Sequence, residues 1–413
     1  MNTESEISIL GFSSVASIVS LLLAEEGIQH SYYIKALDSQ FLSLQPLSNP
    51  IVNGPTRKKE ERFISDKYLT AVPSIKNYVS ISYDESFNPY RNTSGKYTSE
   101  TYAIDSRIRL QCFYDRLNKS PFVTLIESSA EQDSLMKSKS LINIVGGGEQ
   151  FSKNFESVDS LPTQSFEKER DLFFFNLICN RAIYEKYSDK VTILYIGNIA
   201  EILIYPFLHP TNKLTLNLTV NIIKNGQWDY FENSMDCSSA FAKIIELFKV
   251  NLTELASDLK DCNLSDDNFR ILTTKPYYKS PVQVLNRKLF LGVGDSISKS
   301  DPLVGQGYNS GVDIGVKLVN ELKKYSRHKN IDLLNKSYSD YASKIMRYMY
   351  HINKTITQSS ENVYLPELYD LAEKNTQLQG YLFSTYDDIS LYFPWLTDQG
   401  ETRKLIKKYE HMI

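Results

Sequence analysis

An aspartate and a dense group of glycines lie close together in the last third of the chain. Asp295 follows the short apolar run 289–291, and the segment 301–309 has the sequence Asp-Pro-Leu-Val-Gly-Gln-Gly-Tyr-Asn. Six of the 17 glycines fall in this region, at positions 292, 294, 305, 307, 311 and 315. Glycine tolerates a close approach where a Cβ would collide. The clustering therefore predicts a backbone that comes close to another group.

The flanking residues predict the elements that position this loop. Residues 289–291 are typical of a buried strand that delivers Asp295 to its carboxyl end, and Val312, Val316 and Val319 recur at helical spacing. The first turn of a helix offers unpaired N–H groups and a partial positive charge. In open α/β sheets this edge binds ligands. A ligand with hydroxyls for Asp295 and a ring that becomes anionic fits both parts, and reduced flavin is one. The alternative is a glycine-rich connection in an ordinary α/β domain.

These motifs resemble a known family. Gly294-Asp295 followed by Asp-Pro-x-x-Gly-Gln-Gly-x-Asn is similar to the second flavin motif of monooxygenases with the para-hydroxybenzoate hydroxylase fold. Within that class the chain most resembles the oxygenase component of two-component styrene and indole monooxygenases. The resemblance extends over essentially the whole chain, at low identity outside this motif.

The amino terminus is similar to the first βαβ unit of a dinucleotide-binding fold, with substitutions in its glycine fingerprint. The strand 7–10 is followed by Gly11-Phe12-Ser13-Ser14-Val15-Ala16 and an apolar helix face. Ser13 and Ala16 stand where the fingerprint has glycine, so we expect Ser13 to obstruct the pyrophosphate and Ala16 to loosen helix packing slightly. The resemblance implies that Gly11, Ser13 and Ala16 form a weakened FAD site.

Further segments resemble the family's cofactor-binding segments. The strand 141–145, ending in Gly146, corresponds to the strand beside the adenosine part of the flavin, although a strand and a flexible turn explain it equally well. Arg107 corresponds to the arginine of the family's Asp-x-Arg segment. Gln45 and Ser48 stand where relatives have Arg and Asn, and Gln45 brings no charge to the pyrophosphate. The charged run 57–62 could compensate, but it is more typical of a solvated surface.

The resemblance also implies a mechanism and partners. It places Gly294, Asp295, Gly305, Gln306, Gly307 and Asn309 at the flavin, and Pro302 and Tyr308 at the substrate pocket. We expect no acid or base side chain; Pro302, Gly305, Gln306 and Gly307 would act by shaping the flavin site. Reduced FAD would form a C4a-hydroperoxide that epoxidises or hydroxylates an aromatic alkene, indole or a related aromatic compound. No second nucleotide fingerprint is present, so an NAD(P)H-dependent flavin reductase is the expected partner, with dioxygen and an aromatic compound as substrates.

The expected fold class is α/β (α+β), with a Rossmann-like FAD-binding domain interleaved with an antiparallel-sheet substrate domain. The FAD-binding domain would comprise 1–75, 100–165 and 285–330, and the substrate domain 76–99 and 166–284. Strands are expected near 191–195, 200–205 and 214–220. Residues 331–413 would form a C-terminal helical region, whose tyrosines we expect to give an aromatic-rich surface.

Composition favours a soluble cytoplasmic enzyme. A net charge of -3 offers no basic field for nucleic acid. The apolar run in 7–24 has an acidic flank, lacks a cleavage pattern and is too short to span a bilayer. The four cysteines and five histidines show no metal-ligand spacing, so no metal is expected. The oligomeric state stays open, a homodimer included.

Three other functions remain open. A flavin-dependent halogenase shares the fold, but its Trp-x-Trp-x-Ile-Pro motif is missing, since the chain has only Trp228 and Trp395. A flavin-dependent reductase that saturates an isoprenoid chain would expose a more hydrophobic, membrane-facing surface. A catalytically degenerate binding protein would explain Ser13, Ala16 and Gln45 as decay. The sequence leaves the substrate, its stereochemistry and the identity of the reductase undetermined.

Overall fold

The computed structural model describes residues 5–34, 50–127, 140–146, 170–197, 199–211, 213–229, 231, 235–265, 271–274, 277–300, 305–357 and 362–412. Its strands are β1 (Ile7–Leu10), β2 (His30–Ile34), β3 (Ile51–Val52), β4 (Ile75–Tyr83), β5 (Pro89–Ala103), β6 (Val123–Glu127), β7 (Ile142–Val145), β8 (Arg170–Ile178), β9 (Lys190–Ile196), β10 (Ala200–Pro206), β11 (Thr215–Ile223), β12 (Asn263–Leu264), β13 (Ile271–Thr274), β14 (Tyr277–Tyr278), β15 (Val282–Leu285), β16 (Lys288–Gly292) and β17 (Ser298–Lys299). Its α-helices are α1 (Ser14–Glu25), α2 (Gly54–Glu60), α3 (Asp66–Leu69), α4 (Ser106–Leu117), α5 (Arg181–Tyr187), α6 (Cys237–Asn251), α7 (Thr253–Leu259), α8 (Gly307–His328), α9 (Ile331–Thr357), α10 (Leu365–Lys374), α11 (Thr376–Ser384), α12 (Ile389–Thr397) and α13 (Gln399–Tyr409).

The first sheet has six strands in the order β15-β16-β7-β1-β2-β6. All neighbours run parallel except β15, which pairs antiparallel with β16. Every residue of β1 and β7 is buried, as expected for a parallel sheet covered on both faces. Leu10 lies opposite Val145, which lies opposite Gly292, so three strands end at one edge.

The second sheet has the order β12-β8-β11-β10-β9-β4-β5-β3, and β13 also pairs with β8. Its neighbours are antiparallel, as predicted for β9, β10 and β11, except that β4 runs parallel to β9. The long connection from β4 to β9 permits this parallel pairing. Apolar residues on one face of this sheet pack against α6 and α7 in a separate core.

The C-terminal region is helical from α9 to α13, and the predicted fold class is confirmed. The expectation of an aromatic surface was wrong for Tyr338 and Tyr350, which are both buried in the core. Helical spacing directs them inward, where the Tyr338 hydroxyl donates to the carbonyl oxygen of Gly292.

The two sheets draw their strands from alternating parts of the chain. The six-stranded sheet takes strands from 7–34, 123–145 and 282–292, and the larger sheet takes most of the others. Strand β3 joins the larger sheet and β15 joins the smaller one, so sheet membership departs slightly from the proposed boundaries. Those domain boundaries stay predictions.

Within the described ranges, every helix is too short or too polar to cross a bilayer. The same ranges contain no cluster of three or more His, Cys, Asp or Glu side chains that could bind a metal ion.

Candidate functional site

Several of the predicted cofactor-binding residues lie at one edge of the six-stranded sheet. Gly11 follows β1, Gly146 follows β7 and Gly294 follows β16, and the aligned strand ends place these positions on the same edge. Gly11 and Gly294 have φ angles of 87° and 57°, which favour glycine. The sequence pattern thus identified residues that the fold brings together.

Ser13 is engaged by the protein at this edge. Its hydroxyl donates to the carbonyl oxygen of Gly146, and its Oγ caps α1 by accepting from the N–H of Ala16 at 3.2 Å. One N–H at the start of α1 is therefore already satisfied and unavailable to a phosphate. This arrangement is consistent with a weakened pyrophosphate site.

Ala16 corrects one expectation about packing. It is fully buried, and a Cβ added to Gly146 would lie 2.1 Å from the Ala16 Cβ. The extra methyl group of Ala16 is therefore accommodated by the missing side chain of Gly146. We expected looser packing between helix and strand, but the two positions are complementary.

Three glycines of the motif region serve helix packing. A Cβ on Gly294 would lie 3.3 Å from Val15, and one on Gly311 would lie 3.1 Å from it. A Cβ on Gly315 would lie 2.8 Å from Val19. The first prediction, that the glycine cluster marks a close approach, is correct for these positions, but the approaching group is α1.

Gly305 is the glycine whose conformation leaves room for a ligand. Its φ angle is 62°, and a Cβ added there would meet no atom of the described residues within 4 Å. Gly305 and Gly307 are both exposed. Gly307 is the first residue of α8, a helix of 22 residues, and Gly305 lies two residues before it. Among the residues that the structure describes, no side chain caps the start of α8, and its first turn contains no acidic residue. Its N–H groups can therefore donate to an anionic or electron-rich group.

The two polar residues beside these glycines fix the loop, defined here as residues 305–309. Gln306 is buried, and its Nε2 donates to the carbonyl oxygen of Tyr386 at 2.8 Å. Asn309 Nδ2 donates to the carbonyl oxygen of Ile51 at 3.2 Å, and its Oδ1 accepts from the N–H of Asn53 at the same distance. Both side chains thus hold the loop, and the backbone is the part that faces outward.

The Asp295 side chain is exposed to solvent, although many protein atoms lie near its carboxyl group. This desolvation raises the pKa of its carboxyl group above the usual range, and the charge of Lys299 opposes the shift. Its carbonyl oxygen accepts a hydrogen bond from the Tyr277 hydroxyl. The carboxylate oxygens of Asp295 can therefore accept hydrogen bonds from ligand hydroxyls.

Tyr308 belongs to a buried cluster that sequence reasoning missed. Its hydroxyl donates to Glu60 Oε2, and the Tyr102 hydroxyl donates to Glu60 Oε1 at 2.5 Å. Arg109 Nε lies 3.4 Å from Glu60 Oε2, and its guanidinium carbon lies 4.9 Å from the Tyr308 ring centroid. Tyr308 was predicted to line the substrate pocket, but its hydroxyl is directed into this cluster.

The Glu60–Arg109 cluster joins four elements beneath the loop. The side chains of Glu60 and Arg109 are completely buried. Burial and the neighbouring Glu60 charge raise the pKa of Tyr308 well above its usual value, which keeps the phenol protonated. Arg109 shares a helix face with Cys112 and Phe113, both buried, and this spacing was the available sequence signal.

The charged run 57–62 was expected to be a solvated surface. This expectation was wrong for Glu60, which is buried. Two basic side chains of α2 form ion pairs within the protein. Arg57 contacts Glu61 at 3.1 Å, and Lys59 pairs with Asp313. They are therefore poor substitutes for an arginine at a pyrophosphate. Only part of α2 is buried, namely Gly54, Thr56 and Glu60.

Arg107 lies at the start of α4 and is held by Asp105. Its Nε and Nη2 donate to the two carboxylate oxygens at 2.9 and 2.7 Å, and Asp105 also caps the helix. A contact between Arg107 and flavin stays a prediction. Gln45 and Pro302 lie outside the described residues, as does Ser48.

The fold is shared with known flavin-dependent enzymes. No family model and no curated protein matches the chain. A flavoprotein/dehydrogenase from Cytophaga hutchinsonii is similar over 98% of this chain and 99% of its own, with TM-score 0.70 and 10% identity. The flavin-dependent brominase Bmp2 is similar over the full length of both chains, with TM-score 0.67 and 13% identity. The p-nitrophenol 4-monooxygenase PnpA from Pseudomonas putida DLL-E4 covers 94% of this chain and 99% of its own, with TM-score 0.63 and 11% identity.

These similarities show that the chain has the fold of flavin-dependent monooxygenases and of a related brominase. The styrene and indole subtype is a finer assignment that these neighbours leave open.

Proposed function

We propose that the protein is a flavin-dependent monooxygenase that uses reduced FAD to transfer oxygen to an electron-rich aromatic ring or double bond. The observation that carries the proposal is the exposed loop at the uncapped start of α8, where Gly305 leaves space in front of the backbone. When bound, reduced FAD supplies the electrons that activate dioxygen. The similarity in fold to flavin-dependent enzymes supports the same function.

The residues at the sheet edge are suited to hold such a cofactor. The backbone N–H groups of the loop would donate to the anionic ring, and Asp295 would accept from its ribityl hydroxyls. Gly11, Ser13 and Ala16 would form the weakened dinucleotide site, Gly146 would lie beside the adenosine part, and Arg107 would support the flavin site. Because Ser13 already uses its hydroxyl within the protein, we expect weak retention of the cofactor.

A separate NAD(P)H-dependent flavin reductase would supply the reduced cofactor. The sequence has one dinucleotide fingerprint, and that fingerprint is altered. A weakly retained flavin that diffuses between two proteins is consistent with this pattern. The proposal places both proteins in the cytoplasm.

The experiment compares NADH oxidation and product formation with and without an added flavin reductase. We expect negligible NADH oxidation by the protein alone, and oxygenated product from indole or a vinylarene when reductase, FAD and NADH are present. Catalase and superoxide dismutase in both reactions control for free reactive oxygen. Substrate-stimulated NADH oxidation by the protein alone would exclude the two-component arrangement.

Halogenation is a second candidate because one structural neighbour is a brominase. Trp228 stacks on Phe87 at a centroid distance of 5.5 Å inside the core of the larger sheet, and Trp395 packs in the C-terminal helices. Neither tryptophan stands in the halogenase motif. Adding bromide to the coupled assay decides between the two, because a monooxygenase gives the same product with or without bromide.

A further inference from the structure

One face of the larger sheet carries buried polar side chains that packing of the chain alone does not explain. On β11 the apolar residues Leu216, Leu218, Val220 and Ile222 face the core with α6. The alternate residues face the other way and are all buried: four of them are polar, Thr215, Asn217, Thr219 and Asn221, and the last, Ile223, is apolar. We call this side of the sheet the polar face. It includes Glu201 and Tyr205 of β10, which pair with Asn221 and Asn217.

An electrostatic interaction and a chain of contacts connect the polar face to the loop. The charge of Arg109 opposes the rise that burial causes in the pKa of Tyr205, and Arg109 packs on Tyr308. On the other side, Gln306 donates to the carbonyl oxygen of Tyr386.

The Tyr386 ring completes the second connection. Its centroid lies 6.2 Å from that of Tyr78, a residue of the same sheet, and burial followed by the nearby charges of Tyr78 and Glu201 raises the pKa of Tyr386. The polar face therefore lies on the loop side of the sheet.

Asn221 differs from the other amides of this face. Asn217 Nδ2 donates to Asn176 Oδ1 at 3.1 Å, and the Thr219 hydroxyl donates to Asn217 Oδ1 at 2.7 Å. In contrast, neither Oδ1 nor Nδ2 of Asn221 has a hydrogen-bond partner among the described residues, and the side chain is only 1% exposed. A buried amide without partners destabilises the folded chain. Its presence calls for a reason other than folding.

Apolar residues adjoin Asn221 on the same face. Leu172 is its cross-strand neighbour on β8, and Phe174 is the neighbour of Thr219. These two form a small cluster separate from the larger hydrophobic cores. An apolar surface beside an unsatisfied amide is complementary to an aromatic ring that carries its own amide-like group.

We propose that Asn221 binds the polar group of the substrate, and that the substrate is an aromatic compound with an adjacent hydrogen-bond donor and acceptor, such as an amide or a lactam. This inference rests on the proposed function for the identity of the reaction. The Asn221 side chain would donate through Nδ2 to the carbonyl of the substrate and accept through Oδ1 from its N–H. A hydrocarbon such as styrene would leave both atoms unsatisfied and would bind less tightly.

The test measures binding of two probes of similar size, 4-vinylbenzamide and 4-methylstyrene. Calorimetry is done anaerobically on the protein with reduced FAD. We expect the amide to bind roughly 5- to 150-fold more tightly. Asn221→Leu should abolish this preference and raise the melting temperature, because it removes an unsatisfied buried amide.

Thr192→Val is the matched control. The Thr192 hydroxyl is also buried without a partner among the described residues, but Thr192 pairs with Ile204 and so faces the opposite core. This variant should retain the preference for the amide. Equal binding of the two probes, binding of neither, or a lowered melting temperature in Asn221→Leu would overturn the inference.

The outcome separates this inference from the proposed function. If the protein fails to bind reduced FAD, the proposed function is wrong, and the same two probes titrated into the protein alone still decide the role of Asn221. If reduced FAD binds and product forms without any preference for the amide, the proposed function stands and the inference fails.

Discussion

The Glu60–Arg109 pair gives a quantitative prediction for the support of the loop. Glu60 accepts from the Tyr102 and Tyr308 hydroxyls, whereas the three guanidinium nitrogens of Arg109 make no hydrogen bond within the described part of the chain. Glu60 is the acidic side chain that the structure pairs with Arg109. Removing Glu60 therefore leaves a buried cation, whereas removing Arg109 leaves a carboxylate that keeps two donors.

The expected losses in the free energy of unfolding follow from this asymmetry. Glu60→Gln should cost about 4–5 kcal/mol, the upper part of the range for breaking a buried pair. Arg109→Met should cost about 3 kcal/mol, since the remaining carboxylate keeps its two hydrogen bonds. The double variant should cost at least about 2 kcal/mol less than the sum of the two losses.

The assay is urea unfolding of the two single variants, the double variant and the parent at pH 7, followed by circular dichroism and by tryptophan fluorescence. Agreement of the two signals checks that unfolding is a single transition. Arg181 and Glu185 of α5 provide the control cycle. Arg181 Nε lies 2.7 Å from Glu185 Oε1, and the two side chains are 85% and 60% exposed. Its coupling should be much smaller than that of Glu60 and Arg109, because solvent screens an exposed ion pair.

A coupling between Glu60 and Arg109 as small as that of the surface control would refute the reasoning. We also expect the Arg109→Met variant to bind reduced FAD more weakly, since Arg109 supports the Tyr308 ring in the loop. Unchanged affinity would show that the cluster stabilises the fold without shaping the cofactor site.

Three further predictions concern single residues. Gly305→Ala should cost about 1–2 kcal/mol of stability, because its φ angle of 62° is left-handed, and should weaken binding of reduced FAD, measured by anaerobic fluorescence titration. Gly315→Val should lower the melting temperature more than Gly305→Ala, because a Cβ at position 315 would already lie 2.8 Å from Val19. Calorimetric unfolding of the two variants measures this difference. Burial lowers the pKa of His30 from 6.5 to about 4, although its hydrogen bond to the Ile28 carbonyl opposes the shift. The unfolded chain therefore binds the proton first, and stability should fall by up to about 3 kcal/mol as the pH drops from 6.5 to 4, a loss that His30→Gln should remove from urea unfolding profiles.

The sequence predicted the parts of the fold that depend on local patterns. The apolar strands around 7–10 and 289–291 and the helix that begins near Asn309 have strong local signals, and all three are present. Gly305 was singled out as a glycine of the motif, and it has a left-handed φ angle, but its role at the flavin stays a prediction.

The sequence could not reveal which partner each residue contacts in the folded chain. Gly311 and Gly315 belong to the same motif region as Gly305, but they make room for Val15 and Val19. Glu60 lies in a charged run typical of a surface, and only the packing of α2 against β5 and α8 makes it buried.

Asn221 illustrates an intermediate case. A strand was predicted at 214–220, and β11 is present there with polar and apolar residues in alternation. The sequence could not show that the polar face of this strand would be buried on the loop side, because burial depends on segments distant in sequence. The missing hydrogen bonds of Asn221 likewise emerge only from the complete set of neighbours.

The most direct test of the proposed function is anaerobic titration of the protein with reduced and with oxidised FAD, followed by mixing with oxygenated buffer. The loop at the start of α8 should bind the reduced form more tightly than the oxidised form, and Gly305→Ala should weaken that binding. Failure to bind either form, or equal binding by the parent and the Gly305→Ala variant, would contradict the assignment of this loop as a flavin site.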